Sequence, residues 1–334
     1  MFLKTASLLY GFLLTLRHAA YDRGFLSIDK GSIPVVSVGN LALGGTGKTP
    51  IAQLLALELS SRRRVAMILR GYKGRGEHKR STTCISKGEG PLVDVAIAGD
   101  EAYLHAKKLA CVSVWVGKRR IKSLQASIGW GAEIAILDDG MQHRALQRDI
   151  ELVVLDGRED FREEKLVPLG RLRDIPKRLS KADGIFIHHP ERPLSVYKNQ
   201  LAAYTKAPLI GTEMIFTQES IKQIQGKKVA YYCALGRPEK FIEILKTQAQ
   251  EVVYGISLRD HSVFSEKKLR NFSKIALQKG AESIVCTEKD FVKLPKGLTL
   301  DLPIVELKAH VQVVSGKKNW KSLVESILLK SRES

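Results

Sequence analysis

The stretch that most constrains this chain is Val35 to Gln53, VVSVGNLALGGTGKTPIAQ. An apolar run from Ile33 to Val38 reads as a buried strand, a glycine-dense turn follows, and a helical pattern at Ile51, Leu54, Leu55 and Leu57 begins directly after Pro50. Strand, phosphate loop and helix are thus expected in that order. Gly44, Gly45 and Gly47 leave the backbone free to turn successive N–H groups inward, and the positive end of the next helix faces the same point. Ala42, Leu43, Gly44, Gly45, Thr46, Gly47, Lys48 and Thr49 are therefore the expected nucleotide-phosphate contacts. Lys48 reaches β- and γ-phosphates as a point charge, and the Thr49 hydroxyl is placed to ligate Mg²⁺. Pro50 fits because the first helical turn has N–H groups without intrahelical partners. The pattern G-x-x-x-x-G-K-[ST] asks for glycine at position 42, where this chain has alanine. A glycine-rich turn between ordinary elements would have no need of Lys48 and Thr49 together.

Downstream, short apolar runs alternate with helical patterns: Val65 to Leu69, Val112 to Val116, Ile134 to Leu137, Leu152 to Leu155 and Gly184 to Ile187. Such alternation predicts a mainly parallel sheet covered by helices on both faces. Ligands in these sheets sit at the carboxyl ends of the strands, so the residues just after each run carry the chemistry. Arg70-Gly71-Tyr72 follows the first run, and Lys73 to Gly90 reads as a long flexible loop. Gly99-Asp100-Glu101 heads a helical segment, where Asp100 fits either a helix cap or a chemical role. Ile134 to Leu137 ends in Asp138-Asp139-Gly140, an acid at a strand end of the kind that holds Mg²⁺ in phosphate-loop proteins. Gln142, His143 and Arg144 follow at once. A dense charge run with Arg171, Arg173, Lys177 and Arg178 reads as a solvated face or an anion-binding edge.

Composition adds a partner class. The formal net charge of +19 over 334 residues predicts attraction to something anionic: nucleic acid, an acidic membrane surface or a phosphorylated substrate. The four cysteines are far apart with no CxxC spacing, which points to neither a zinc site nor a disulfide framework. The N-terminus is apolar from Phe2 to Leu16 apart from Lys4, Thr5, Ser7 and Thr15, too short for the ~20 residues that cross a bilayer. It fits a helix lying in the membrane surface or an ordinary buried helix. The pattern weakens from Ala207 to Gln225, the expected domain boundary. A second α/β unit then runs through Lys228 to Leu235, a helix near Pro238 to Thr247 and the strand Ile284 to Thr287, with Arg259-Asp260-His261 in a polar loop. Trp320 to Lys330 reads as a closing amphipathic helix.

Eight motifs in order resemble the tetraacyldisaccharide 4′-kinases: VGNLALGGTGKTP, RGY at Arg70 to Tyr72, GDE at Gly99 to Glu101, DDGMQHRALQRD at Asp138 to Asp149, LVPLGRLRD at Leu166 to Asp174, LGRPEKF at Leu235 to Phe241, RDH at Arg259 to His261 and TEKDFVKL at Thr287 to Leu294. The resemblance implies ATP- and Mg²⁺-dependent phosphorylation of the 4′-hydroxyl of a tetraacylated disaccharide 1-phosphate, giving lipid IVA, at the cytoplasmic face of the inner membrane. It implies a membrane-associating helix over 1–24, a phosphate-loop kinase domain over 25–218 and a smaller α/β domain over 219–334. It also implies Asp100 as base, His261 coupled to it, and Asp138 and Asp139 near Mg²⁺. Lys48 joins the catalytic set. Asn40, Arg70, Tyr72, Glu101, Arg120, Gln142, His143 and Arg173 are the expected substrate contacts. The chain departs from the family pattern at Lys73, Ala102, Met141 and Arg119, none of which removes a charged catalytic group.

Two other classes are weighed against this. Partition-type ATPases carry a signature lysine before the glycine pair, where this chain has Leu43. A nucleic-acid ATPase would interleave aromatic residues with its basic stretches, and those at Arg62 to Arg64, Lys118 to Lys122 and Arg171 to Arg178 contain almost none. No nucleic acid and no obligate protein partner are expected.

Overall fold

The computed structural model describes residues 2–72, 74–78, 82–259, 262, 264–295 and 297–332. The chain divides into two compact units, 1–213 with 311–334, and 214–310.

The larger unit opens with α1 (Phe2–Asp22) and continues through β1 (Val35–Gly39), α2 (Lys48–Ser60), β2 (Val65–Leu69), β3 (Thr83–Ser86), α3 (Val95–Ala98), α4 (Asp100–Lys108), β4 (Val112–Val116), α5 (Arg120–Gly129), β5 (Ile134–Asp138), β6 (Ile150–Asp156), β7 (Gly184–His188), α6 (Leu194–Leu201) and β8 (Leu209–Phe216). β1, β2 and β4 to β7 are buried along their whole lengths. That is why they read as continuous apolar runs and not as alternating ones: helices cover both faces of a parallel sheet. With the late strand β13 (Ala309–Ser315) the sheet order is β13-β8-β7-β6-β1-β5-β2-β4-β3. Strands β8 through β4 pair in parallel, and β3 closes that edge antiparallel to β4. The segment expected as one long loop after Arg70 therefore contains an edge strand. Its signal was hidden because TCIS is short and sits among Gly, Lys and Ser.

The smaller unit contains α7 (Gln218–Lys222), β9 (Lys228–Cys233), α8 (Glu239–Gln248), β10 (Glu251–Ser257), α9 (Glu266–Gln278), β11 (Ser283–Thr287), α10 (Glu288–Phe291) and β12 (Ile304–Leu307). Its four strands lie in the order β10-β9-β11-β12, all parallel. Asp290 ties two of the motifs together. Its carboxylate accepts from the Ala234 N–H at 2.9 Å, immediately before LGRPEKF, and from Thr287 Oγ1 at 2.7 Å in TEKDFVKL.

The closing helix α11 (Lys317–Lys330) groups with the larger compact unit. Trp320 packs edge-on to Phe186 with centroids 6.0 Å apart, Asn319 donates to the Leu209 carbonyl at 2.9 Å, and Leu323, Val324, Ile327 and Leu328 are buried. An amphipathic helix has to bury its stripe somewhere, and β13 returns this one to the first sheet.

Candidate active site

The register Val38 to Asp138 between β1 and β5 sets the phosphate loop beside the paired acids. Gly44 and Gly47 take φ of +106° and +87°, the left-handed values that glycine tolerates. Asn40 is fully buried and braces the turn: its Nδ2 donates to the Ala42 carbonyl at 2.6 Å and to Thr46 Oγ1 at 2.7 Å. The Leu43 N–H donates to the Arg171 carbonyl at 2.7 Å, and the Arg173 N–H to the Leu41 carbonyl at 2.7 Å. Helix α2 starts at Lys48 with Gly47 as its N-cap, so no capping side chain covers its first-turn N–H groups.

Charge is arranged tightly around that loop. Lys48 Nζ lies 3.7 Å from Asp139 Oδ1. Burial pushes the Lys48 ammonium below its ordinary range, against the pull of Asp139, Asp138 and Glu101. Arg173 grips both oxygens of Asp139, with Nη1 to Oδ2 at 2.9 Å and Nη2 to Oδ1, and Nη2 also meets Asn40 Oδ1. Burial alone would raise the Asp139 carboxyl, but the Arg173 hydrogen bonds and the Lys48 charge hold it at about 2.

Asp138 is different. It is 2% exposed; Oδ2 accepts from His105 Nε2 at 2.8 Å, and Oδ1 is buried with no hydrogen-bond partner among the described residues. A hard cation takes oxygen ligands, and Mg²⁺ in particular is held by one or two carboxylates together with substrate phosphates. An open, buried carboxylate oxygen beside a phosphate loop fits that requirement. Among the described residues no group of three or more His, Cys, Asp or Glu forms a closed metal cage.

The family model for tetraacyldisaccharide-1-P 4′-kinase matches residues 1–328. The chain belongs to this kinase family. It is 33% identical over 312 residues to the tetraacyldisaccharide 4′-kinase of Halothermothrix orenii, covering 86% of this chain and 81% of that one. It is 36% identical over 298 residues to that of Anaeromyxobacter dehalogenans, covering 85% and 78%. Against the Desulfotalea psychrophila kinase it is 32% identical over 320 residues, covering 92% and 91%. A crystal structure of LpxK from Aquifex aeolicus in complex with ATP matches with a TM-score of 0.76 at 29% identity, over 97% of both chains.

Within this kinase, Lys48, Asp139, Arg173 and Asn40 form one connected cluster, with Asp138 alongside it. Asn40 and Arg173 were expected to touch substrate. In the structure Asn40 braces the phosphate loop, and Arg173 pairs with Asp139 and Asn40. Asp100 is the first residue of α4, with Gly99 at φ +81° in the cap position ahead of it, so Asp100 is not the cap. Arg70 and Tyr72 are exposed just past β2. Arg120 is buried at the start of α5 and donates to the Gly117 carbonyl at 2.8 Å. Gln142 Nε2 donates to the Asn40 carbonyl at 3.1 Å. Burial, then the charges of Arg120, Arg148, Arg17 and Arg70, depress His143 to about 4, so it is neutral at physiological pH. His261 and its neighbour Asp260 lie outside the described residues.

The arginines of the charge run from Arg158 to Arg178 pair with acids both inside the run and before it. Arg171 pairs with Glu159 and Glu164, Arg173 with Asp139, and Arg178 with Glu151. Three histidines were missed as site residues: His105 on Asp138, His188 against Gly47, and His18 on Asp174 at 2.7 Å. None of the three stands at a spacing that marks a site in sequence, the neighbouring His188 and His189 included.

Proposed function

We propose that this kinase transfers the γ-phosphate of ATP to the 4′-hydroxyl of a tetraacyldisaccharide 1-phosphate. The products are ADP and the 4′-phosphorylated disaccharide, lipid IVA. The observation that carries the reading is the cluster of Lys48, Asp139 and Arg173 at the mouth of a phosphate loop, with one Asp138 oxygen left open beside it. The loop amides and Lys48 bind and orient the phosphates; phosphoryl transfer needs chiefly that positioning and charge neutralisation. Thr49 and Asp138 would hold Mg²⁺, with Asp139 nearby but committed to Arg173. When bound, the ion neutralises charge on the β- and γ-phosphate oxygens. Asp100 accepts the proton of the sugar hydroxyl as its oxygen bonds to the γ-phosphorus and the bond to ADP breaks. His261 is assigned as the group coupled to Asp100. Glu101, Arg70, Tyr72, Arg120, Gln142 and His143 are assigned to the rim that receives the disaccharide.

Membrane contact is assigned to α1. Leu8, Leu9, Phe12, Leu13 and Leu16 recur at helical spacing and are all exposed, Leu8 at 76%. Phe2 and Phe25 extend the patch at either end, at 83% and 79% exposed. A contiguous apolar face of this kind marks an interaction surface, and nearby Lys4, Arg17 and Arg23 suit anionic head groups. No helix among the described residues is long and apolar enough to cross a membrane. Peripheral attachment at the cytoplasmic face of the inner membrane, where ATP is available, follows from this reading. The test is to incubate the protein with labelled ATP and Mg²⁺, with and without tetraacyldisaccharide 1-phosphate in detergent micelles. Label should enter the lipid only when acceptor is present; ATP consumption with no labelled lipid would overturn the assignment.

A further inference from the structure

His105 lies on α4, one helical turn beyond Glu101, and is fully buried. Its Nε2 is 2.8 Å from Asp138 Oδ2. A carboxylate oxygen only accepts, so Nε2 carries the hydrogen in this pair. The Asp138 backbone is held at the end of β5, opposite Val38 of β1, with the preceding Leu137 in register with Ile68 of β2. The carboxylate is the part left free to turn, and His105 removes that freedom. One oxygen is committed to the imidazole, and the other, Oδ1, is buried and without a hydrogen-bond partner among the described residues. Leaving a buried carboxylate oxygen unmet is costly, and such groups persist where a ligand completes them.

We infer that His105 is a positioning residue for the metal–nucleotide site: it locks Asp138 so that a single oxygen faces the divalent ion. The inference rests on the kinase reading for the ion itself. It adds that α4 serves both sides of the reaction, because the helix that begins with Asp100 also carries the group that orients Asp138. Partners standing behind a metal ligand commonly change metal affinity or activity ~10- to 100-fold when removed. A purely structural pair joining α4 to β5 would change folding stability but not the metal dependence of nucleotide binding.

The test uses the full chain, a non-hydrolysable ATP analogue and Mn²⁺ as a paramagnetic probe counted by EPR. His105→Leu should weaken Mn²⁺ binding in the nucleotide complex ~10- to 100-fold, while analogue binding without metal is unchanged. His105→Gln, whose amide nitrogen reaches the position of Nε2, should restore most of the loss. His105→Asn, whose amide falls short of it, should not, and it serves the same comparison if His105→Leu does not fold. With Asp138→Ala already present, adding His105→Leu should change Mn²⁺ binding no further. Wild-type Mn²⁺ affinity in both His105→Leu and His105→Asn, an equal loss of metal-free nucleotide binding, or additivity with Asp138→Ala would overturn the inference. None of these measurements uses the acceptor lipid, so their failure and a failure to label lipid are separate results.

Discussion

Gly47 is where the phosphate loop has least room, and replacing it with alanine gives a prediction whose size follows from geometry. At φ +87°, a Cβ on residue 47 would stand 2.2 Å from His188 Cδ2 and 2.7 Å from its Nε2. The imidazole has nowhere to go. His188 is 3% exposed at the end of β7, in register with Asp156 of β6 and Thr212 of β8, and its Nδ1 is 3.2 Å from Thr212 Oγ1. A left-handed alanine costs roughly 1–2 kcal/mol, and overpacking a filled site about 1–3 kcal/mol. Gly47→Ala should therefore destabilise the larger unit by about 2–5 kcal/mol. In a His188→Ala background the ring is gone and only the dihedral part remains, so the same change should cost about 1–2 kcal/mol. Urea denaturation followed by tryptophan fluorescence reads this directly, because Trp115, Trp130 and Trp320 all belong to the larger unit. Equal costs of Gly47→Ala in the two backgrounds would refute the packing argument.

Asp100→Ala should lower turnover roughly 10²- to 10⁴-fold with nucleotide affinity retained in calorimetry; full turnover would remove Asp100 as the base. Leu8→Ser, Phe12→Ser and Leu13→Ser together should leave the melting temperature unchanged and abolish sedimentation with anionic vesicles, since each exposed side chain forfeits about 1.5–3 kcal/mol of burial in lipid. His143 titrates near 6.5 when unfolded and about 4 when folded, so the unfolded chain binds the extra proton between those values. Its contribution is thus lost as pH falls from 6.5 toward 4, and His143→Gln should flatten the pH dependence of the urea midpoint across that window.

The strands were legible because burial on both faces writes them as unbroken apolar runs: β2 and β4 coincide with the runs read from sequence, and β5 and β7 extend them by one residue. β3 and β8 were not, the first being short and polar at an edge, the second lying where the pattern weakens. The phosphate loop and the paired acids announced themselves because each needs particular residue types at fixed spacing. The division of labour between the acids did not. Asp138 and Asp139 are neighbours in sequence, yet one is buried on His105 and the other turns to Arg173 at φ +59°. Partners that arrive from 33 and 34 residues away leave no local signature.

The stretch from Leu166 to Asp174 shows what such distant partnership achieves. Read as sequence, LVPLGRLRD is a charged edge. In the fold it is a splint with α1 fastened to one side and the phosphate loop to the other. Ser7 Oγ donates to the Leu166 carbonyl at 2.8 Å, Tyr10 Oη to the Arg173 carbonyl at 2.9 Å, and His18 holds Asp174. From the loop side, Leu43 donates to the Arg171 carbonyl, Arg173 donates to the Leu41 carbonyl, and Leu172 enters the core with Leu41 and Met141. Arg173 carries both connections at once, its carbonyl on Tyr10 and its guanidinium on Asp139 and Asn40. The face of α1 turned inward is accordingly mostly polar, with Ser7 and His18 buried and Tyr10 half-buried around a single buried leucine, Leu14. That pattern explains why the helix can leave most of its apolar residues exposed: hydrogen bonds to the Leu166 to Asp174 stretch, together with the burial of Leu14, hold it in place.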